Sequence, residues 1–408
     1  MKNLMMIHLE SLNYQLFMSF PEIFKEIHKI KNEGVLYNHY FSTATSTLMV
    51  LGDIFYGGKE QYEVCTSMDY IPKDYFYKDS LFDELKRNGY KTGIFVYPDG
   101  GDRESAEERH IAGFQNKMVL IPKYEELLET VEHLISEEPF AVMVCNYISN
   151  INFNCYVDND NILDGTDKWK LGYQYLDKCV GDLIKLLKKK QKLEDTCIVL
   201  YGDHGDDFWG HGMHQGLTHA IEPFTNLIHT PMLIFDNNEK GRLKENLVCA
   251  TDLRQIILVK LGLRQCSKNI KNEYVIARSA YAAQPIRKES FNKSYSITDG
   301  KFILLVSNNG LEMYDVEIDF QCGYNLLEQF STDGLVIRYN VVNKSEIYYH
   351  YYHFMEKQEG EIIRLRQTTY YLRKRLYDET LKLYEAAGRT EKDMLEEMSF
   401  YKIHYKYR

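Results

Sequence analysis

Leu200-Tyr-Gly-Asp-His-Gly-Asp-Asp-Phe-Trp-Gly-His-Gly-Met-His-Gln-Gly-Leu-Thr-His219 is the stretch from which the fold can be read. It continues Asp195-Thr-Cys-Ile-Val-Leu200, an apolar run of the kind that forms a buried strand. The run stops at Gly202, and a carboxylate and an imidazole follow at once, Asp203 and His204. A hydrophobic strand that ends in polar, metal-competent side chains is how open α/β sheets build their sites. His211, His214 and His219 come next in the same loop.

Working outward, Asn3-Leu-Met-Met-Ile-His-Leu9 is a second apolar strand and ends in Glu10. Phe140-Ala-Val-Met-Val-Cys-Asn146 is continuously apolar, as strands buried on both faces are. Val35–Phe41, Tyr90–Tyr97 and Thr230–Phe235 read as further strands. Between them lie helical stripes: residues 21–31, with apolar positions 23, 24, 27 and 30 and a stop at Gly34, then 81–89, 123–136 and about 167–190. Strand and helix alternate, which predicts an α/β fold with a mostly parallel sheet sandwiched by helices. Beyond about residue 285 the pattern changes. Asp299-Gly300 and Asn308-Asn309-Gly310 are hairpin turns between short strands. Residues 343–408 are rich in Tyr, Lys, Arg and Glu at helical spacing. The expected organisation is a catalytic α/β domain over 1–285, a small antiparallel C-terminal subdomain over 286–342 and a helical tail over 343–408, whose mixed charge suits a solvated or homo-oligomeric surface.

Composition sets bounds on function. The chain has 408 residues, 44% hydrophobic and 26% charged, enough for a large α/β domain and a smaller one. A formal net charge of -10 excludes a nucleic-acid backbone as the main partner. No apolar run has the length of a membrane span, so no integral membrane segment and a soluble, cytoplasmic protein are expected. The 8 cysteines contain no C-x-x-C pair and several sit in apolar runs, which reads as buried free thiols.

In a parallel sheet the carboxyl ends of all strands share one edge. Glu10, the hydroxyl cluster Ser42-Thr-Ala-Thr-Ser-Thr47 and Asp203-His204 can therefore converge although they are distant in sequence. A hydroxyl before an apolar helical run is a good N-cap, which accounts for one hydroxyl but not for a cluster. Two carboxylates, an imidazole and a hydroxyl make a site for one divalent metal ion. The mixed O/N set favours Zn²⁺ or Mn²⁺ over Mg²⁺ or Ca²⁺. The matching chemistry is attack on a phosphate or sulfate ester through a covalent intermediate.

These features resemble the alkaline phosphatase superfamily in its sulfatase-like branch, closest in motif to lipoteichoic acid synthases and phosphoethanolamine transferases. The resemblance spans about residues 3–330. It rests on Leu9-Glu-Ser-Leu12, Glu33-Gly-Val-Leu-Tyr-Asn38, Thr43-Ala-Thr-Ser46, Gly89-Tyr-Lys-Thr-Gly93, Tyr175-Leu-Asp-Lys178, Asp203-His-Gly205, Ile297-Thr-Asp-Gly-Lys301 and Glu312-Met-Tyr-Asp315. It implies Glu10, Thr45, Asp203 and His204 as metal ligands, with Thr45 the nucleophile, Thr47 its rival and Ser46 third. It implies a phosphotransferase or phosphodiesterase that moves a phospho-alcohol group to a glycan hydroxyl or to water. The alternatives are a sulfate-ester hydrolase and a non-catalytic binding protein on the same fold. The chain departs from true sulfatases in three ways. No C/S-x-P/A-x-R signature occurs at 43–50, which favours phosphoryl chemistry over sulfate hydrolysis. The first strand ends in Glu10 alone rather than in paired Asp. No His follows strand 140–146, where Asn152 is the nearest equivalent.

His211, His214 and His219 are expected to grip the ester or protonate its leaving group. A solvated loop His is the competing reading for each. Asp206 and Asp207 either orient these histidines or are exposed. His229, before Thr230-Pro231, reads as structural, and Arg103 and Arg109 as a solvated loop that could clamp an anion.

Overall fold

The computed structural model describes residues 1–57, 80–97, 118–150, 165–207, 219, 221–237, 241–265, 270–279, 294–307, 310–323, 325–327, 359–386 and 388–397. In chain order its strands and helices are β1 (Asn3–Leu9), α1 (Tyr14–Ser19), α2 (Lys25–Glu33), β2 (Val35–Tyr37), β3 (Tyr40–Phe41), α3 (Thr47–Tyr56), α4 (Leu81–Arg87), β4 (Lys91–Tyr97) and β5 (Met118–Leu120). Then come α5 (Tyr124–Leu134), β6 (Phe140–Asn146), α6 (Gly165–Lys189), β7 (Thr196–Gly202), α7 (Thr225–Ile228), β8 (Met232–Phe235), β9 (Arg242–Lys244), β10 (Val248–Cys249) and α8 (Ala250–Lys260). The chain closes with β11 (Val275–Arg278), β12 (Tyr295–Thr298), β13 (Phe302–Ser307), β14 (Gly310–Asp315), α9 (Glu359–Ala386) and α10 (Glu391–Glu397).

Eight strands form the main sheet in the order β5, β4, β6, β1, β7, β8, β2, β9. The apolar runs of β1, β6 and β7 lie at its centre, paired in parallel and buried throughout. Side chains of a strand alternate between the two faces, and β1 shows the consequence. Leu4 and Met6 enter one core, which contains α3, α4 and α8; Met5, Ile7 and Leu9 enter the other, which contains α2, α5 and α6. Asp177 of α6 ties the second layer together, its carboxylate accepting the backbone N–H of Glu26 at 3.0 Å and of Ile27 at 2.9 Å, at the start of α2. The mostly parallel, helix-flanked sheet is the one expected.

Two local readings change. Strand β8 runs antiparallel to both β7 and β2, a pairing that needs no crossover helix. The segment 35–41, read as one strand, breaks at Asn38-His39. Residues 35–37 stay in the main sheet, whereas Tyr40 and Phe41 pair with β10 in a separate two-stranded sheet. The break is held by His229, whose Nε2 takes the Asn38 carbonyl at 2.7 Å.

The antiparallel subdomain is a four-stranded sheet, β11 to β14, turned at Asp299-Gly300, where Gly300 has φ 92. It begins at Val275, ahead of residue 286, and the backbone of its first strand bonds to the hydroxyl segment: Arg278 N–H to the Thr43 carbonyl at 3.1 Å and Thr45 N–H to the Arg278 carbonyl at 3.2 Å. Helices α9 and α10 form the tail. Leu372, Leu376, Tyr384 and Met394 pack on Tyr295, Ile297, Leu304 and Met313 of the subdomain. No described helix is long and apolar enough to cross a membrane. Among the described residues, Cys145, Cys179, Cys197, Cys249 and Cys322 are buried and form no disulfide.

Candidate metal centre

The register of the central strands builds the site. Leu9 pairs with Gly202 across β1 and β7, so the next residue of each strand, Glu10 and Asp203, emerges side by side at the carboxyl edge. Both are fully buried, as is His204. Ser11 then takes a left-handed turn at φ 58, and its N–H donates to Asp203 Oδ1 at 3.1 Å. Tyr173 of α6 donates to the Ser11 carbonyl at 2.6 Å. Asn150 donates to Glu10 Oε1 at 2.6 Å, and Ser149 to the Glu10 carbonyl at 2.8 Å.

A residue that looked like part of the apolar strand joins this set. His8, two positions before Glu10 and on the same face of β1, places Nε2 3.3 Å from Glu10 Oε2 and 3.1 Å from Asp203 Oδ2. The ring is fully buried. His8, Glu10 and Asp203 bring one donor atom each within 4.8 Å of one another. His204 Nε2 lies 3.2 Å from Asp203 Oδ2. Its Nδ1 donates to the Gly205 carbonyl at 3.0 Å, which leaves the Nε2 lone pair facing the carboxylates.

This donor set fits a divalent cation. His8 Nε2 and Asp203 Oδ2 are close, yet neither has a hydrogen-bond partner among the described residues, as expected of lone pairs aimed at a common centre. The electrostatics agree. Burial, then the nearby Asp203 charge, holds the Glu10 carboxyl well above the usual range. Burial opposes ionisation of Asp203 too, but the His204 and His8 rings outweigh it and hold Asp203 below its ordinary value. Two buried carboxylates of which only one ionises readily are what a cation would relieve.

The hydroxyl that meets the carboxylates is Thr47, the first residue of α3. Its Oγ1 is 3.1 Å from His204 Nε2 and 3.4 Å from Glu10 Oε2. Thr45, expected there from the motif, is turned elsewhere: its hydroxyl donates to the Ile221 carbonyl at 3.0 Å. The extended backbone of Ser46, φ -145 and ψ 146, separates the two. Ser46 is the N-cap residue, and its buried hydroxyl has no hydrogen-bond partner among the described residues.

His219 stacks on His204 with ring centroids 4.3 Å apart, and its Nδ1 is 2.9 Å from Asp206 Oδ1. Burial would lower its pKa, but Asp206 outweighs that and raises it, favouring imidazolium. For His204, burial dominates and pushes the ring down to about 4. Asp207 accepts from Asn226 at 3.0 Å and so braces the loop. His211, His214, Arg103, Arg109 and Asn152 lie outside the described residues. His8 left one signal in the sequence, a polar residue in phase with Glu10 on a strand otherwise apolar. Only the register with β7 gives it a role.

A sulfatase family model matches residues 172–261, a segment that carries β7, Asp203 and His204. No curated protein matches the chain. Solved structures share the fold. A 2-O GAG sulfatase superposes with a TM-score of 0.60 at 14% identity, covering 90% of this chain and 93% of that one. The lipoteichoic acid synthase LtaP from Listeria monocytogenes gives 0.55 at 16% identity, covering 79% and 88%. The phosphonate monoester hydrolase of Agrobacterium radiobacter gives 0.57 at 14%, covering 90% and 96%. At these identities the likeness is one of fold. The chain shares the fold of a 2-O GAG sulfatase, a lipoteichoic acid synthase and a phosphonate monoester hydrolase, and its residues 172–261 match the sulfatase family model.

Proposed function

We propose that the protein is a metal-dependent phosphotransferase or phosphodiesterase that transfers a phospho-alcohol group to a glycan hydroxyl or to water, with Thr47 as nucleophile. The observation that carries this reading is the Thr47 hydroxyl lying on both Glu10 and His204 at the N-terminus of α3. A divalent ion, Zn²⁺ or Mn²⁺ by the O/N donor set, would be held by His8, Glu10, Asp203 and His204. When bound, it supplies positive charge that lowers the hydroxyl pKa and offsets charge on the ester.

The chain's own residues then divide the work. The α3 dipole favours negative charge at Thr47. The Glu10 carboxylate, to which Thr47 Oγ1 donates at 3.4 Å and whose hold on a proton burial strengthens, accepts the Thr47 proton. A bond forms from Thr47 Oγ1 to phosphorus as the bond from phosphorus to the alcohol oxygen breaks. His219, kept protonated by Asp206, gives that oxygen its proton. An acceptor hydroxyl or water, its proton taken by the now neutral His219, then attacks phosphorus as the bond from phosphorus to Thr47 Oγ1 breaks, and the proton first taken from Thr47 returns to it. A sulfate ester is the second reading, favoured by the family match at 172–261.

The test is a metal and substrate panel. Bound metal is measured in wild type and Asp203→Ala, and p-nitrophenyl phosphodiester, monoester and sulfate are compared as substrates. Thr47→Ala is expected to lose about a thousandfold or more in kcat, while Thr45→Ala stays within about tenfold of wild type. Full activity in Thr47→Ala would sink the nucleophile assignment. Faster turnover of the sulfate would replace the first reading by the second.

A further inference from the structure

The helix that presents Thr47 starts without a local cap. Ser46 is its N-cap residue, yet the Ser46 side chain makes no capping hydrogen bond to the first turn of α3. Such a bond ordinarily ties the incoming chain to its helix. Apolar side chains of α3, Val50, Leu51 and Ile54 among them, pack in the core and fix the helix body. They lie after Thr47 and leave the direction of its approach open. That direction has to be set by what holds the strap before it, residues 42–46.

Asp53 and Arg278 hold that strap. Asp53, on the second turn of α3, takes the Thr43 hydroxyl with Oδ2 and the Arg278 guanidinium with Oδ1, the latter at 3.0 Å. Arg278 closes the triangle. Its Nη1 donates to the Thr43 carbonyl at 3.4 Å, its N–H to the same carbonyl at 3.1 Å, and its own carbonyl accepts from Thr45 N–H at 3.2 Å. Thr43 and Asp53 are buried, and Arg278 nearly so. A cavity of about 60 Å³ lies against all three. Packing therefore leaves slack on that side, and the polar bonds decide where the strap sits. Charge-assisted hydrogen bonds of this kind are strong and directional.

We propose that Asp53 and Arg278, acting through Thr43, are positioning residues for Thr47: they set the approach of the strap and so the aim of the Thr47 hydroxyl at Glu10 and His204. The proposal rests on Thr47 being the nucleophile. It adds the antiparallel subdomain, which carries Arg278, to the parts that the reaction needs. The bonds of this clamp run to the strap and to α3 rather than to His8, Glu10, Asp203 or His204. Loosening it misaims the hydroxyl and leaves the metal ligands in place. A displacement of about 1 Å at a reacting atom is enough to cost about a hundredfold in rate.

The test compares Thr43→Val, which keeps the side-chain shape and removes the hydroxyl, with Thr43→Ser, which keeps the hydroxyl. Each full chain is assayed with Zn²⁺ on the p-nitrophenyl ester that wild type turns over fastest, at a temperature where circular dichroism shows it folded. Thr43→Val is expected to lose about 10–100-fold in kcat with KM within about threefold of wild type. Thr43→Ser is expected to stay within about threefold in both. Arg278→Met should lower kcat by a similar factor and add little to Thr43→Val, because both act through one carboxylate. Two readouts need no turnover. Zn²⁺ affinity in Thr43→Val should match wild type, and amide hydrogen exchange should quicken in segment 42–50 but not in β1 or β7. Wild-type kcat in Thr43→Val, a loss that Thr43→Ser does not restore, weakened Zn²⁺ binding, or unchanged exchange in segment 42–50 each overturns the proposal. Thr47→Ala is run alongside. Full activity there would defeat the nucleophile assignment and this proposal with it; an inactive Thr47→Ala beside an unimpaired Thr43→Val would defeat this proposal alone.

Discussion

Glu10 and Asp203 face each other with His8 between them, and each residue's contribution can be tested alone. His8 adds a nitrogen to a set otherwise dominated by oxygen, which should raise preference for Zn²⁺ or Mn²⁺ over Mg²⁺. Replacing it by Phe keeps the buried volume and removes the lone pair. His8→Phe is expected to weaken Zn²⁺ affinity by about 10–100-fold, read by competition with a chelating dye. Unchanged affinity would remove His8 from the ligand set. His229 makes a second residue-level prediction. Its ring pKa falls from 6.5 unfolded to about 4 folded. Below pH 6.5 the unfolded chain takes up a proton that the folded chain refuses, so stability rises with pH from about 4 to 6.5 and is flat above. At about 1.4 kcal/mol per pKa unit the effect is about 3 kcal/mol. Urea unfolding across that window should show a wild-type slope that His229→Phe lacks.

At the scale of elements, the site depends on how closely the loop after β7 approaches its neighbours. A Cβ on Gly205 would lie 2.0 Å from the Asn226 carbonyl oxygen, which is backbone and cannot yield. The Gly205 N–H meanwhile donates to the Leu227 carbonyl at 2.8 Å, fastening the loop to α7. Gly205→Ala is therefore expected to displace His204, costing about 2–4 kcal/mol of stability and loosening metal binding. Thermal melts with and without Zn²⁺ should show a smaller metal-induced rise in Tm than wild type. An equal rise would mean that the loop adapts without moving His204. The α3 N-terminus is the other critical element. An extended Ser46 turns Thr45 and Thr47 in different directions, so adjacent members of one hydroxyl cluster do different jobs.

Across the whole molecule, the subdomain is tied to the helix that presents Thr47. Arg278 of β11 forms an ion pair with Asp53 of α3 at 3.0 Å, 11% and 1% exposed. Thr43 also donates to Asp53. Removing one partner of such a pair strands a buried charge, at a cost of about 3–5 kcal/mol. Arg278→Met should destabilise by that amount in urea unfolding, and Arg278→Met with Asp53→Leu should recover much of it. A loss under about 1 kcal/mol in the single variant would show that the pair contributes little to holding the domains together.

Much of this was legible in the chain before its structure. Apolar runs at 3–9, 140–146 and 196–202 can only be central strands, because their burial on both faces demands it. The polar residues at their ends, Glu10 and Asp203-His204, follow from topology, since parallel strands share a carboxyl edge. Tertiary structure decided the rest. Whether Thr45 or Thr47 meets the carboxylates depends on the backbone dihedrals at Ser46, which a run of five nearby hydroxyls does not specify. His8 is apolar-strand filler until β1 and β7 align in register. His219 is drawn toward its protonated form only by the Asp206 carboxylate placed beside it. The sequence by itself determined which strands carry chemistry, because burial is written in local composition. Only the folded packing decided which side chains converge there, because rotamer, register and the approach of distant backbone are set by contacts the local sequence does not contain.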